Sequence, residues 1–292
     1  MLRGIFRKQR SMIKKILGHT TSMHQYLIHQ ELSSLRNSAR HRNPKSLAPF
    51  GYKVYSQNDE DGIIREIFTR IGTTNKTFVE FGVDDGKECN TFALLFDDWR
   101  GLWIDACAKY IDSIKKNLAP VISAGQLMVA KSFITRDNIN ATISSHIKDA
   151  EIDLLSVDID GNDYHVFNAI DCINPRVVIM EYNAKFAPPI RFCMDYDERH
   201  EFAHDDCFGA SLKFLEIHLA EKGYCLVGCN LTGLNAFFVR QDLVSDKFME
   251  PFTAEQHYEP ARYYLTGLSA GWPPSYNALL KSQKMRSADD VR

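Results

Sequence analysis

Beyond about residue 50 the chain alternates short apolar runs with longer segments in which apolar residues recur every three or four positions. A continuous apolar run bounded by turn residues marks a strand buried on both faces, and the longer period marks a helix with one buried side. The pattern predicts a helix at 59–71, a strand at 77–81, a helix at 89–97, a strand at 101–105 and a helix at 107–117. It continues with a strand at 127–131, a helix at 136–148, a strand at 153–158, a helix at 162–170 and a strand at 176–181. A helix at 209–222 and strands at 224–229 and 235–240 close the series, and the short connection "NLTGL" makes the last two strands antiparallel. Strands alternating with helices imply a mainly parallel sheet with helices on both faces: an α/β, three-layer, Rossmann-like arrangement ending in an antiparallel hairpin.

The first 50 residues follow a different pattern. They carry ten Lys/Arg against one acid, Glu31, which leaves 25 Lys/Arg against 36 acids in the rest of a 292-residue chain with a net charge of -2. Leu2, Ile5, Phe6, Met12, Ile13, Ile16 and Leu17 recur at helical spacing among Arg3, Arg7, Lys8, Arg10, Lys14 and Lys15. Such a helix serves either in packing and homo-oligomer formation or as a peripheral contact with an anionic membrane face. The expected organisation is a basic helical arm at 1–50, a catalytic domain at 51–245 and a partly loose extension at 246–292. Seven cysteines without a C-x-x-C pair speak for reduced thiols and a cytoplasmic setting. No apolar run is long enough for a transmembrane helix.

In open α/β sheets ligands bind beyond the carboxyl ends of the strands, so the residues ending each strand carry the candidate chemistry. The first strand ends in Glu80-Phe81-Gly82 with Gly86 beyond, a turn through which the backbone can approach a ligand. It lacks the middle glycine of G-x-G-x-x-G, which counts against a nicotinamide dinucleotide. Asp105 ends the second strand, 25 residues after Glu80, where a carboxylate accepts both hydroxyls of a ribose. Ser132 and Phe133 follow the third strand and are candidates to border an adenine. The fourth strand leads into "SVDIDGNDYHVF", which crowds Asp158, Asp160 and Asp163 into six residues, a costly arrangement without a cation, donor or proton. The fifth ends in "IMEYNA", adding Glu181 and Asn183. This group suits a general base for a hydroxyl or an oxygen-ligated divalent cation. His200 and His204, four apart in "DYDERHEFAHDD", could pair on a metal if helical, but the H-E-x-x-H glutamate is absent and Phe202 intervenes; the stretch reads rather as an acceptor lid or, ahead of that, as a solvated loop.

Taken together, "YSQNDEDGII", "FVEFGVDDGKECNT", "WRGLWID", "LLSVDIDGNDYHVF", "PRVVIMEYNA", "FGASLKFLEIHLAEKGYCLVG" and "NAFFVR" resemble the FkbM-like family of S-adenosylmethionine-dependent methyltransferases, over about residues 54–241. The resemblance implies a class I methyltransferase fold, S-adenosylmethionine as cofactor, and methyl transfer to a hydroxyl of a sugar or glycan-type acceptor. It would place Glu80, Gly82 and Gly86 at the methionine end, Asp105 on the ribose, and Ser56, Gln57 and Asp61 closing over the cofactor. Asn90 would assist from the next helix, and Asp158 and Asp160 would line the floor between cofactor and acceptor. The chain departs from the pattern at Asp84, where glycine is common.

Methyl transfer is an in-line displacement, so the protein aligns the acceptor and removes its proton. Asp160, Glu181 and His165 are the candidate bases, in that order. A metal-assisted variant would use Asp158 or Asp160, with Glu181 and Asn183, to hold Mg²⁺. The rival readings are a non-catalytic scaffold of this fold acting through the basic arm, a nicotinamide-dependent oxidoreductase, and a methyltransferase of another small molecule or of nucleic acid. The acidic body counts against nucleic acid, whose phosphates call for a basic face.

Overall fold

Each apolar run forms a strand whose ends lie within two residues of those expected: β1 (Thr77–Phe81), β2 (Arg100–Asp105), β3 (Leu127–Lys131), β4 (Glu151–Val157), β5 (Asn174–Glu181), β6 (Tyr224–Cys229) and β7 (Asn235–Arg240). In the computed structural model, which describes residues 2–266 and 273–289, they join in one sheet of order β3-β2-β1-β4-β5-β7-β6. β1 to β5 are mutually parallel, and β7 lies antiparallel between β5 and β6. This is the class I methyltransferase fold. Strand order reverses between β1 and β4, which opens a crevice at their carboxyl ends.

The helices are α1 (Leu2–Arg36), α2 (Glu60–Ile71), α3 (Ala108–Asn117), α4 (Ala119–Ser123), α5 (Ile139–His146), α6 (Asp163–Ala169), α7 (Leu212–Glu221), α8 (Gln241–Val244), α9 (Ala254–His257) and α10 (Asn277–Asp289). Side chains alternate across the sheet, so neighbouring strand residues feed different cores. Val79, Phe81, Leu102, Ile104 and Leu155 pack with Ile139 and Ile143 of α5, Val166 of α6 and Leu215 of α7. Phe78, Trp103, Leu154 and Val177 pack on the other face with Ile63, Ile64 and Ile67 of α2 and Ile114 of α3. Burial on both faces is why the central strands read as continuous apolar runs.

The segment expected as a helix at 89–97 has a different structure: only a 3-10 helix forms there, over Ala93–Asp97. The amides of Asn90 and Thr91 donate to the Glu80 carboxylate instead, at 2.8 and 3.0 Å, which pins the chain to the end of β1. α4 lies in what read as a loop; Pro120 in its first turn supplies a fixed φ where no N–H is needed.

The chain separates into two compact units, Met1–Pro44 and Lys45–Arg292. α1 occupies most of the first unit and runs for 35 residues. Met12 on it is exposed, whereas the side chains of Leu2, Ile5, Phe6, Ile13, Ile16 and Leu17 and of the interleaved cations lie outside the described residues. No described helix is long and apolar enough to cross a membrane. In the second unit the described part of 246–292 packs closely: Phe248, Ala254, Leu265, Tyr276 and Leu279 are buried. The Tyr182 hydroxyl donates to the Glu259 carbonyl and the Tyr258 hydroxyl to that of Ala184, each at 2.6 Å, so the segment is fixed against the end of β5.

At the amino ends of the strands, Asp153 of β4 is fully buried. Its carboxylate accepts from the amides of Thr74, Asn75 and Lys76, at 2.7–3.0 Å, and from the guanidinium of Arg176 at 2.6 Å. Arg176 is itself nearly inaccessible, at 6% side-chain exposure, and also donates to the carbonyls of Ile71 and Gly72. This network clamps the end of α2 to the middle of the sheet.

Candidate active site

The crevice at the carboxyl ends of the strands is a cleft of about 580 Å³. Of the residues expected to bind a cofactor, Gln57, Glu80, Gly82, Asn90, Asp105, Ser132 and Asp158 line it, as do Asp160 and Glu181. Ser56, Asp61, Gly86, His165 and Asn183 do not.

Those five have other partners. One oxygen of Asp61, at the start of α2, accepts from the amides of Val54, Tyr55 and Ser56 and from the Ser56 hydroxyl, at 2.6–2.9 Å. Ser56 and Asp61 therefore shape the loop that presents Gln57 rather than touching the cleft. Gly86 has φ +76°, and a Cβ there would stand 2.6 Å from the Trp103 ring, so glycine is required by turn and packing together. His165 is turned away, its Nε2 2.8 Å from the Met194 carbonyl and its ring beside Tyr196. That placement removes it from the candidate bases. Asn183 is buried and donates to the carbonyls of Asp206 and Phe208, at 3.0 and 3.1 Å, which assigns it to loop structure rather than to a metal.

Gly82 is the tightest point of the site. Its φ is +68°, and an added Cβ would lie 1.7 Å from the Asp158 carbonyl oxygen. The β1 turn and the loop after β4 thus touch backbone to backbone. Two residues on, Asp84 has φ +50°. Glycine adopts this left-handed conformation freely and aspartate is among the few others that tolerate it, which accounts for the departure at this position. The Asp84 amide donates to Asp105 at 2.9 Å, and the Cys107 amide does so at 2.7 Å. Each carboxylate oxygen of Asp105, which lines the cleft, takes one of these bonds and retains the capacity to accept a second, from a hydroxyl.

The carboxylates fall into two classes. Glu80 is met by two amides and the Thr91 hydroxyl. Asp163, whose pKa burial raises to about 6, accepts from the amides of Ile159 and Gly161, both at 2.8 Å, and so holds the loop before α6. Glu60 accepts from the side-chain amides of Asn58, Asn230 and Asn235, which ties α2 to the β6–β7 turn. Asp158, Asp160 and Glu181 receive no donor from the described residues. Their nearest oxygens lie within 4.8 Å of one another, and Glu181 Oε2 is closed to solvent without a partner. Burial, followed by repulsion from neighbouring carboxylates, raises the pKa of both Asp158 and Glu181 well above the usual range. Burial raises Asp160 too, against the opposing pull of His200 and His204.

Several lining residues carried no signal in the sequence. Tyr263 and Thr266 arrive from the segment packed on β5, and Asn235 from the start of β7. Asp85, Glu88 and Tyr110 complete the wall near Asp105. His200 does reach the cleft, with Nε2 3.0 Å from the Asp160 carbonyl. Its loop docks through Asn162 and Asp197, which exchange hydrogen bonds at 2.7 and 3.3 Å. No helix forms at 195–206, so His200 and His204 are not paired on one face. Eight lining residues are acidic (Glu80, Asp84, Asp85, Glu88, Asp105, Asp158, Asp160 and Glu181), and no Lys or Arg lines the cleft among the described residues.

No protein-family model matches the chain, and no curated protein matches it. Solved structures similar to it include an O-methyltransferase from Bacillus cereus in complex with S-adenosylhomocysteine, at 16% identity and a TM-score of 0.40, covering 74% of this chain and 89% of that one. The N-terminal domain of EvdMO1 with S-adenosylhomocysteine is similar at 12% identity and 0.42, covering 74% and 93%. TrmK from M. capricolum with the same product is similar at 11% identity and 0.37, covering 64% and 71%. Likeness at this level assigns no role to any residue; the strand order and the cleft described above stand independently of it.

Proposed function

We propose that the chain is an S-adenosylmethionine-dependent O-methyltransferase of FkbM-like type, acting on a hydroxyl of a sugar or glycan-type acceptor. The observation that carries this reading is the acidic lining of the cleft: eight carboxyl groups, the more exposed of them carrying its negative charge, and no Lys or Arg among the described lining residues. A dinucleotide brings a pyrophosphate, which needs cations or free amides, and an acidic wall repels it. A sulfonium cofactor brings a positive charge at its reacting centre, which the same wall attracts. Neutral polyols suit it too, because each hydroxyl can donate to a carboxylate.

In this reading Gly82 lets the β1 turn approach the methionine end, with Glu80 and Asn90 setting the shape of the turn. Asp105 accepts the ribose hydroxyls, Ser132 and Phe133 border the adenine, and Gln57 closes the near side. The acceptor hydroxyl lies against Asp158, Asp160 and Glu181, of which Asp160 is the most open to receive its proton. The oxygen lone pair forms the new C–O bond as the methyl C–S bond breaks, and that electron pair stays on sulfur. Alignment contributes several kcal/mol to such a step and a placed base about 10²–10⁴-fold.

Calorimetry with S-adenosylhomocysteine tests the reading, with NAD⁺ as control. Binding of the first alone is expected, and Asp105→Asn is expected to weaken it roughly 10- to 100-fold, the worth of a charge-assisted hydrogen bond. A chain that binds neither, or that binds only NAD⁺, sinks the proposal. Labelled S-adenosylmethionine with a panel of neutral sugars, glycans, phenols and nucleic acids then identifies the acceptor; label appearing only in the last two rejects the sugar assignment.

A further inference from the structure

We infer that His200 is the base of the transfer, taking the proton of the acceptor hydroxyl on its Nδ1; this rests on the transfer reading above and sets an imidazole ahead of the open carboxylate of Asp160. The geometry fixes which nitrogen is free. His200 Nε2 lies 3.0 Å from the Asp160 carbonyl oxygen. A carbonyl only accepts, so Nε2 carries a proton, and in the neutral ring the basic lone pair then belongs to Nδ1. Nδ1 meets no hydrogen-bond partner among the described residues, and His200 lines the cleft together with Asp160 and Glu181. His204 does not line it; its ring lies against Phe202, at 4.9 Å between centroids.

The ring sits in a built seat. Gly161 offers it bare backbone: a Cβ there would stand 2.2 Å from His200 Cδ2 and 2.4 Å from Nε2. The turn that carries His200 closes with its amide on the Asp197 carbonyl, at 3.0 Å. Asn162, 6% exposed, grips the same turn twice, donating to the Asp197 carbonyl and accepting from the Asp197 amide. Asp163 holds the amides of Ile159 and Gly161, which flank Asp160 and so aim its carbonyl. A histidine that served only as a solvated loop residue would need neither the glycine nor the buried clamp. Imidazole takes up and returns a proton near neutral pH, which makes it the commonest general base. In the step, the O–H proton passes to Nδ1 as the oxygen lone pair forms the bond to the methyl carbon and the C–S pair stays on sulfur. Positive charge thus leaves the sulfonium and reappears on the imidazolium, so the acidic wall faces a cation before and after transfer. Asp160 is placed to stabilise that cation, since its carboxylate and His200 attract one another. The imidazolium returns its proton to water as product leaves.

Two measurements test this. Nitrogen-15 NMR of the full chain at mildly alkaline pH reads the tautomer without any acceptor, the His200 signals being those lost in His200→Gln. A proton on Nε2 and a bare Nδ1 are expected; a proton on Nδ1 overturns the inference. Glutamine at this position still offers the Asp160 carbonyl an N–H but cannot take a proton, so it separates base from tether. With labelled S-adenosylmethionine and the neutral sugars and glycans of the panel above, His200→Gln is expected to lower kcat about 10²–10⁴-fold with KM within about threefold, and His204→Gln to change kcat less than about twofold. Normal turnover by His200→Gln overturns the inference, as does a raised KM with kcat unchanged, which marks a residue that only binds the acceptor. Calorimetry with S-adenosylhomocysteine tells this failure from failure of the transfer reading. Product binding by a chain whose His200 Nε2 is bare, or whose His200→Gln variant turns over normally, removes the base and leaves methyl transfer standing; a chain that binds no product overturns both.

Discussion

Gly82→Ala is expected to abolish cofactor binding and to lower stability by about 4 kcal/mol or more, a cost that in a domain of this size can leave little folded protein. Two penalties combine at this position. The backbone sits at φ +68°, where a Cβ is strained by about 1–2 kcal/mol. The larger penalty is steric, because the new methyl would stand 1.7 Å from the Asp158 carbonyl. The obstacle is backbone, so no rotamer change relieves it; β1 and β4 would have to part at the carboxyl ends where the cleft opens. Urea unfolding monitored by tryptophan fluorescence, with calorimetry for S-adenosylhomocysteine on whatever remains folded, measures both effects. A variant with wild-type stability and affinity would show that the two loops do not meet as described.

Asp153→Ala is expected to cost about 3–5 kcal/mol, with the opposite signature. The substitution strips the partner from Arg176, whose side chain is 6% exposed, and orphans the amides of Thr74, Asn75 and Lys76. Leaving one member of a buried pair uncompensated is far more damaging than the net worth of the pair. Asp153 lies at the amino end of β4, while the cleft opens at the carboxyl ends. Protein that stays folded should therefore bind S-adenosylhomocysteine with wild-type affinity. The urea midpoint is expected to fall while the dissociation constant measured below that midpoint is unchanged. A large loss of affinity in folded protein would mean that the two ends of the sheet are coupled.

The same contrast explains what could be read from the residues in advance. Strands showed clearly because burial on both faces makes "FVEF" or "RVVIME" continuously apolar, and the short "NLTGL" turn declared the closing hairpin. Helix ends and the segment at 89–97 were harder, since the amides of Asn90 and Thr91 are claimed by Glu80, a contact between a strand and a loop that leaves no local periodicity. The acidic cluster stood out in the sequence, but its division did not. Asp163 is satisfied by amides and Asp158 and Asp160 are not, and only backbone direction separates them. His165 failed as a base for a similar reason: the turn of α6 sends its ring to the Met194 carbonyl. Tyr263 and Thr266 reach the cleft from the far end of the chain with no motif to announce them.

The tie between Glu60 and the β6–β7 turn bears on how the protein comes into being during synthesis. Glu60 is fully buried, and its partners Asn230 and Asn235 follow it by 170 and 175 residues. A nascent chain that has emerged only as far as β5 therefore has this carboxylate without two of its donors, and lacks the strand that covers the edge of β5. At roughly 5–20 residues per second the missing piece arrives several seconds later. Until then the central parallel strands present an unpaired edge, the feature through which incomplete sheets associate with one another. The cleft, whose wall includes Asn235, Tyr263 and Thr266, is therefore closed only after β7 and the segment that follows it have left the exit tunnel.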